Sequence, residues 1–226
     1  MALETPAERS PVVQNYAKAI YALESRSGRP VGTNQLAGRL GVTAGAASAM
    51  VKRLAELDLV THVPYRGVRL TPAGRRVALE VLRHHRLLEL FLAETLDLPW
   101  DRVHREAELL EHTLSEELEA AISAKLGHPT HDPHGDPIPS AELEIDEPET
   151  ISLAELDPGA EASFVRVSDG DPALLRHVQE LGIRLGMRVR VVERRPFGAP
   201  LLIRFGRRTD ILPLDVARAM RVQPTP

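Results

Sequence analysis

Cysteine does not occur among the 226 residues, so disulfides and thiolate zinc centres are excluded and any metal ligand must be imidazole, carboxylate or carbonyl. No run of 18 apolar residues exists, and no membrane span is expected. The opening MALETPAERSP lacks the basic and apolar parts of an export signal, so the expected location is the cytoplasm. HExxH, GxSxG and nucleophile–base pairs are missing too, which argues against an enzyme. What is present is 43% hydrophobic residues in a chain long enough for two or three small domains.

Charge is unevenly spread: residues 1–76 carry a net +6, residues 77–150 a net −13 and residues 151–226 a net +3. A basic first third before an acidic middle points to a polyanion-binding module joined to a cation-binding one.

In the first third, PVVQNYAKAIYALES places Val12, Tyr16, Ala19, Ile20 and Leu23 at helical spacing behind a proline suited to a first turn. A short helix ending at Gly41, a turn and a second helix capped by Thr43 make a helix-turn-helix. Small residues from Ala44 to Ala49, among them Gly45, Ala46 and Ser48, let the second helix lie deep in a groove. Arg39, Lys52 and Arg53 flank it for phosphate contacts. LVTHVPYRGVRLT then reads as a β-ribbon with Arg66 at its tip, a wing. The partner this predicts is double-stranded DNA.

Thr71-Pro72 opens a long helix whose Val77, Val81, Leu82, Leu87, Leu88, Phe91 and Leu92 exceed the need of one small layer and predict a face shared with a second subunit. A homodimer matches a palindromic operator, one half-site per winged helix. The same helix holds His85 and Glu89 at i, i+4, a spacing that serves one metal or a surface pair.

Residues 101–113, DRVHREAELLEHT, carry the densest ligand signal. If helical, with His104 at zero, Glu108 falls near 40°, Glu111 near −20° and His112 near 80°. All four share a stripe bordering the apolar positions Val103, Ala107, Leu110, Leu114 and Leu118. Carboxylates there need a counter-charge, which a divalent cation would supply. Downstream, the proline-punctuated loop GHPTHDPHGDPIPS offers His128, His131, Asp132, His134 and Asp136, of which one ligand is expected. The last third, after the acidic stretch at 141–150, alternates short apolar runs with turns and reads as β-strands with one helix, DPALLRHVQELG. Asp171 before that helix is a cap or a ligand.

The order of winged helix, HRLLELFL, VHREAELLEHTLSEELEAAI and GHPTHDPHGDPIP resembles the diphtheria toxin repressor family of iron- and manganese-dependent regulators, over nearly the whole chain. The resemblance implies a mainly α fold with small β: a winged helix-turn-helix at 1–76, a helical dimerisation and metal-binding domain at 77–140, a linker at 141–150 and an SH3-like domain of the ferrous-transport-accessory type at 151–226. It implies two metal sites per subunit. An ancillary site would use His85, Glu89, His104 and Asp171, and a primary site Glu108, Glu111 and His112 with Asn15 and Asp132. Iron-responsive members place Met and Cys where this chain has Asn15 and Glu108; Glu108 matches the manganese-responsive members, and hard oxygen ligands suit Mn²⁺. Two-domain manganese regulators carry a second carboxylate where this chain has Lys18, which argues against a closely bridged two-metal cluster.

The implied function is a Mn²⁺-activated repressor of metal-uptake genes, with an Fe²⁺-responsive regulator as the alternative. In both, metal ties the first helix to the dimer helices and so sets the spacing of the recognition helices. A metal-dependent hydrolase, or a metal buffer or peptide adaptor using the barrel, would share the ligands but predict turnover, or metal uptake without salt-sensitive DNA affinity.

Overall fold

The computed structural model describes residues 10–63, 65–194 and 199–225, which form two compact units. The first unit contains the described part of Met1–Leu88 together with Ala107–His128 and Pro139–Ile145; the second contains Glu89–Glu106, Pro129–Ile138 and the described part of Asp146–Pro226. The units therefore do not follow the chain order of the expected domains. Met1–Arg9, most of the opening segment read above as lacking an export signal, lie outside the described residues.

In the first unit, α1 (Pro11–Ser27) starts on Pro11 and buries Val13, Tyr16, Ala17 and Ile20, a three-and-four repeat that keeps one face on the core. α2 (Thr33–Leu40) stops at Gly41, whose φ of 65° is open to glycine without strain. α3 (Ala44–Glu56) begins behind Thr43, whose hydroxyl accepts from the Ala46 amide at 3.2 Å. Leu36, Ala47, Val51 and Leu54 join the two helices in one apolar core. β1 (Val60–Val63) and β2 (Gly67–Leu70) pair antiparallel, Val60 opposite Leu70 and Val63 opposite Gly67, and Val31 bridges to Val68. This is the expected winged helix-turn-helix. Gly67 has φ 117°, and a Cβ there would lie 2.1 Å from the Val31 carbonyl oxygen, so the wing closes only with glycine.

α4 (Pro72–Thr95) is capped by Thr71, whose hydroxyl accepts from the Gly74 amide at 3.0 Å. α5 (Trp100–Leu110) and α6 (Glu116–Lys125) follow. Of the seven apolar α4 residues expected at a shared face, Val77, Val81, Leu87, Leu88 and Leu92 are buried within the chain itself, while Leu82 and Phe91 are half-buried. The exposed large apolar side chains include Leu109 and Leu110 at the end of α5 and Leu118 on α6, the last two expected in the core stripe, and Val12 on α1, also expected on the apolar face. The expected linker is also partly core, since Leu143 is buried in the first unit's cluster with Ile145 against it.

The second unit is built on a six-stranded antiparallel sheet in the order β3-β8-β4-β5-β6-β7. Its strands are β3 (Ile151–Ser152), β4 (Glu161–Val167), β5 (Arg188–Arg194), β6 (Leu201–Phe205), β7 (Arg208–Leu212) and β8 (Met220–Pro224). α7 (Pro172–Glu180) and α8 (Leu214–Ala219) complete it, and Phe164, Leu175, Ile203 and Met220 sit at its centre with Trp100 packed against the cluster. No described helix is long and apolar enough to cross a membrane.

Candidate metal centre

In the first unit the ligand-type residues gather around Glu111. The residue follows the last turn of α5, its amide still donating to the Ala107 carbonyl at 2.9 Å, and the side chain is 1% exposed. Its Oε2 lies 2.5 Å from His85 Nδ1 on α4; its Oε1 lies 2.5 Å from Lys18 Nζ on α1 and 3.4 Å from His112 Nε2. Burial works to raise the Glu111 pKa, but the His85 hydrogen bond and the Lys18 charge outweigh it and hold the carboxyl below its ordinary value. His112 turns Nδ1 to the Gln14 side-chain oxygen Oε1 at 2.6 Å, so that nitrogen is the donor, and burial lowers its pKa.

A second buried network lies next to it. His84 presents Nδ1 to the Glu111 carbonyl at 3.1 Å and Nε2 to Glu119 at 2.9 Å, while Arg83 holds Glu119 at 2.6 Å and donates to the Pro139 carbonyl. Burial opposes the Glu119 charge, but His84 and Arg83 prevail and bring its pKa down to about 2.

In the second unit the convergence is tighter. Glu89, His104 and Asp169 each bring a ligand atom within 4.8 Å of the others, and Glu89, Asp132 and His134 do the same. Glu89 is fully buried; its Oε1 is 3.0 Å from His104 Nδ1, which is 3.5 Å from Asp169 Oδ2. His134 Nδ1 faces Glu89 Oε2 at 3.8 Å, and its Nε2 donates to the Trp100 carbonyl at 3.3 Å. Burial lowers the His134 pKa, yet Glu89, Asp132 and Asp169 together raise it to about 9. A centre with this much negative charge and little solvent favours a positive occupant.

Backbone geometry aims these groups. Asp132 Oδ1 accepts from the amides of His134 and Asp136, closing the proline loop into a turn. Gly135, at φ 91°, lets that turn lie on β4: a Cβ would stand 2.0 Å from the Val165 carbonyl oxygen, and the Val167 amide donates to the His134 carbonyl at 2.9 Å. His85 stands one turn before Glu89 on α4.

The expected ligands thus distribute unevenly. The single stripe of His104, Glu108, Glu111 and His112 divides, because α5 ends at Leu110 and Glu111 and His112 lie in the following turn. Glu108 is exposed, Asn15 is half-buried, and it is the adjacent Gln14 that reaches His112. Asp132 groups with Glu89 and His134. Asp171 is exposed and caps α7, accepting from the Ala173 amide at 2.8 Å; the carboxylate beside His104 is that of Asp169. Two of the loop candidates, Asp132 and His134, group with Glu89 where one ligand was expected, and Asp169 was not anticipated.

On the DNA-reading side, Gly45, Ala46, Ser48 and Lys52 line the exposed face of α3, with Arg39 and Arg66 also exposed. Arg53 pairs with Glu56 at 3.3 Å. Arg69 on β2 holds Glu24 at 2.5 Å and donates to the Gly28 carbonyl.

Comparison with known proteins decides between the possible readings of this architecture. Residues 9–68 match the iron-dependent repressor N-terminal DNA-binding domain, residues 71–140 its metal-binding and dimerisation domain, and residues 151–224 the FeoA domain. The iron-dependent repressor IdeR of Mycobacterium tuberculosis is 32% identical over 220 residues, covering 92% of this chain and 95% of that one. The chain belongs to the diphtheria toxin repressor family. The diphtheria toxin repressor of Corynebacterium efficiens is likewise 32% identical, over 219 residues covering 92% of this chain and 93% of its own. Among solved structures, a manganese-dependent transcriptional repressor in complex with manganese is 42% identical, with a TM-score of 0.88, covering 94% of this chain and all of that one. Members of this family are DNA-binding repressors rather than enzymes, and this chain carries both a DNA-binding and a dimerisation domain. The fold expected from sequence, mainly helical with a small C-terminal β domain, is the fold observed.

Proposed function

We propose that this protein is a homodimeric transcriptional repressor of metal-uptake genes, located in the cytoplasm, whose operator binding is switched on by Mn²⁺. The observation that carries the reading is the convergence of buried Glu89 with His104 and Asp169. The Asp132–His134 pair brings further ligand atoms to the same carboxylate. The donor set is imidazole and carboxylate with no sulfur, which suits Mn²⁺ and also accepts Fe²⁺. Similarity to a manganese-dependent repressor at 42% identity favours manganese over iron as the physiological signal.

When bound, the cation supplies the positive charge that lets the buried carboxylates stay ionised side by side. The protein's residues do the rest. Glu89 and His134 are held by α4 and the proline loop, and Asp169 by the segment before α7, so a filled centre favours one arrangement of the chain over others. Turning a population from mostly idle to mostly competent requires that arrangement to be favoured by about 5.5 kcal/mol, within reach of a site with three or more ligands. A symmetric dimer would then present two α3 helices to a palindromic operator, Thr43 holding the start of α3 while Lys52, Arg53, Arg39 and Arg66 meet phosphates.

The test is operator binding measured by fluorescence anisotropy at fixed ionic strength with and without Mn²⁺. Affinity is expected to rise at least tenfold with the cation, and to fall linearly in log–log form with salt, more shallowly in Lys52→Ala. Identical binding with and without Mn²⁺ would refute the switch.

A further inference from the structure

We infer that the ammonium group of Lys18 is the resident cation of the pocket around Glu111, so that each protomer takes up one divalent ion, at the Glu89 centre, and not two. This rests on the proposal that the Glu89 centre is the sensing site. Glu111 is 1% exposed and its two oxygens are already engaged by protein cations and donors, Oε1 by Lys18 Nζ at 2.5 Å and Oε2 by His85 Nδ1 at 2.5 Å. A carboxylate and an ammonium at that distance cancel, which removes the charge imbalance that draws a metal into a buried site.

The neighbouring donors complete the argument. His112 spends Nδ1 on Gln14, and its Nε2 points at the Glu111 oxygen that Lys18 holds, at 3.4 Å. Glu108 is exposed. Among the described residues, Glu108, Glu111 and His112 bring no set of ligand atoms within 4.8 Å of one another, whereas both groups around Glu89 do. A divalent ion entering the pocket would have to displace the Lys18 ammonium from Glu111 Oε1 or sit beside it against its charge. The consequence is mechanical: Lys18 belongs to α1 and Glu111 to the turn after α5, so these two elements are joined by an ion pair that needs no metal.

Metal content of the full-length protein, measured by equilibrium dialysis against Mn²⁺ followed by elemental analysis, tests this directly. The expected result is one Mn²⁺ per protomer in the wild type and in Glu111→Gln, and two in Lys18→Glu, where a carboxylate replaces the ammonium. Two ions in the wild type, falling to one in Glu111→Gln, would overturn the assignment. So would a folded Lys18→Glu protein that still holds one. Because the wild-type and Glu111→Gln values decide by themselves, an unfolded Lys18→Glu variant does not rescue the idea. His104→Ala reports on the other site: no Mn²⁺ in the single variant and one in the Lys18→Glu/His104→Ala double variant are expected, and an ion retained by His104→Ala would overturn the Glu89 centre as the place of the single ion.

Discussion

At the scale of single residues, two aspartates two positions apart have separate duties. Asp171 caps α7 through the Ala173 amide, while Asp169 stands 3.5 Å from His104. Asp171→Ala is expected to cost about 1 kcal/mol of stability in urea unfolding and leave Mn²⁺ affinity unchanged. Asp169→Asn is expected to weaken Mn²⁺ binding about 10- to 100-fold, measured by isothermal titration, with little effect on the unfolding midpoint of the metal-free protein. The distinction was partly legible: a proline at 172 in the first helical turn makes its predecessor the cap, which frees the other carboxylate. His85, Glu89 and His104 could be read from helical spacing and resemblance. Nothing local in the sequence shows that Gln14 rather than Asn15 meets His112, since adjacent residues of a helix differ by about 100° and only tertiary packing fixes the rotation.

At the scale of elements, the helix-turn-helix and wing were readable because caps and glycines punctuate them, Thr43 and Gly41 at one end and Gly67 in the ribbon. The end of α5 was not. Its hydrophobic period runs on past Leu110, but Glu111 and His112 leave the helix for partners on α1 and α4. α4 and α6 are joined by the pairing of Arg83 and His84 with Glu119. The folded carboxyl of Glu119 has a pKa of about 2 against an ordinary 4.5, a depressed value. Its stabilisation is therefore complete above pH 4.5 and is lost as pH falls through that window toward 2. Glu119→Gln is expected to lower stability by about 2 kcal/mol at neutral pH and to flatten the acid limb of the stability curve, both followed by urea unfolding across pH 3–7.

For the whole molecule, the charge asymmetry and segment order were enough to anticipate a DNA reader followed by acidic helices. Five of the seven apolar α4 residues expected at a shared face are buried within the chain, because burial of α4 depends on long-range packing that a count of apolar residues does not weigh. Leu109, Leu110 and Leu118 are exposed at 67%, 44% and 51%, on the segment matched to a dimerisation domain. Leu110→Asp with Leu118→Asp is expected to yield a monomer in analytical ultracentrifugation, with operator affinity falling at least tenfold while Mn²⁺ uptake persists.

The division into units also departs from chain order, and this bears on how the protein can be cut. Glu89–Glu106 and Pro129–Ile138 have their compact neighbourhood among residues encoded far downstream, and Trp100 packs against the cluster formed by the C-terminal strands. A gene shortened after codon 150 would leave that indole and the proline loop without cover and would take Asp169 with it. Loss of the C-terminal part would therefore call for compensating changes in the middle of the chain.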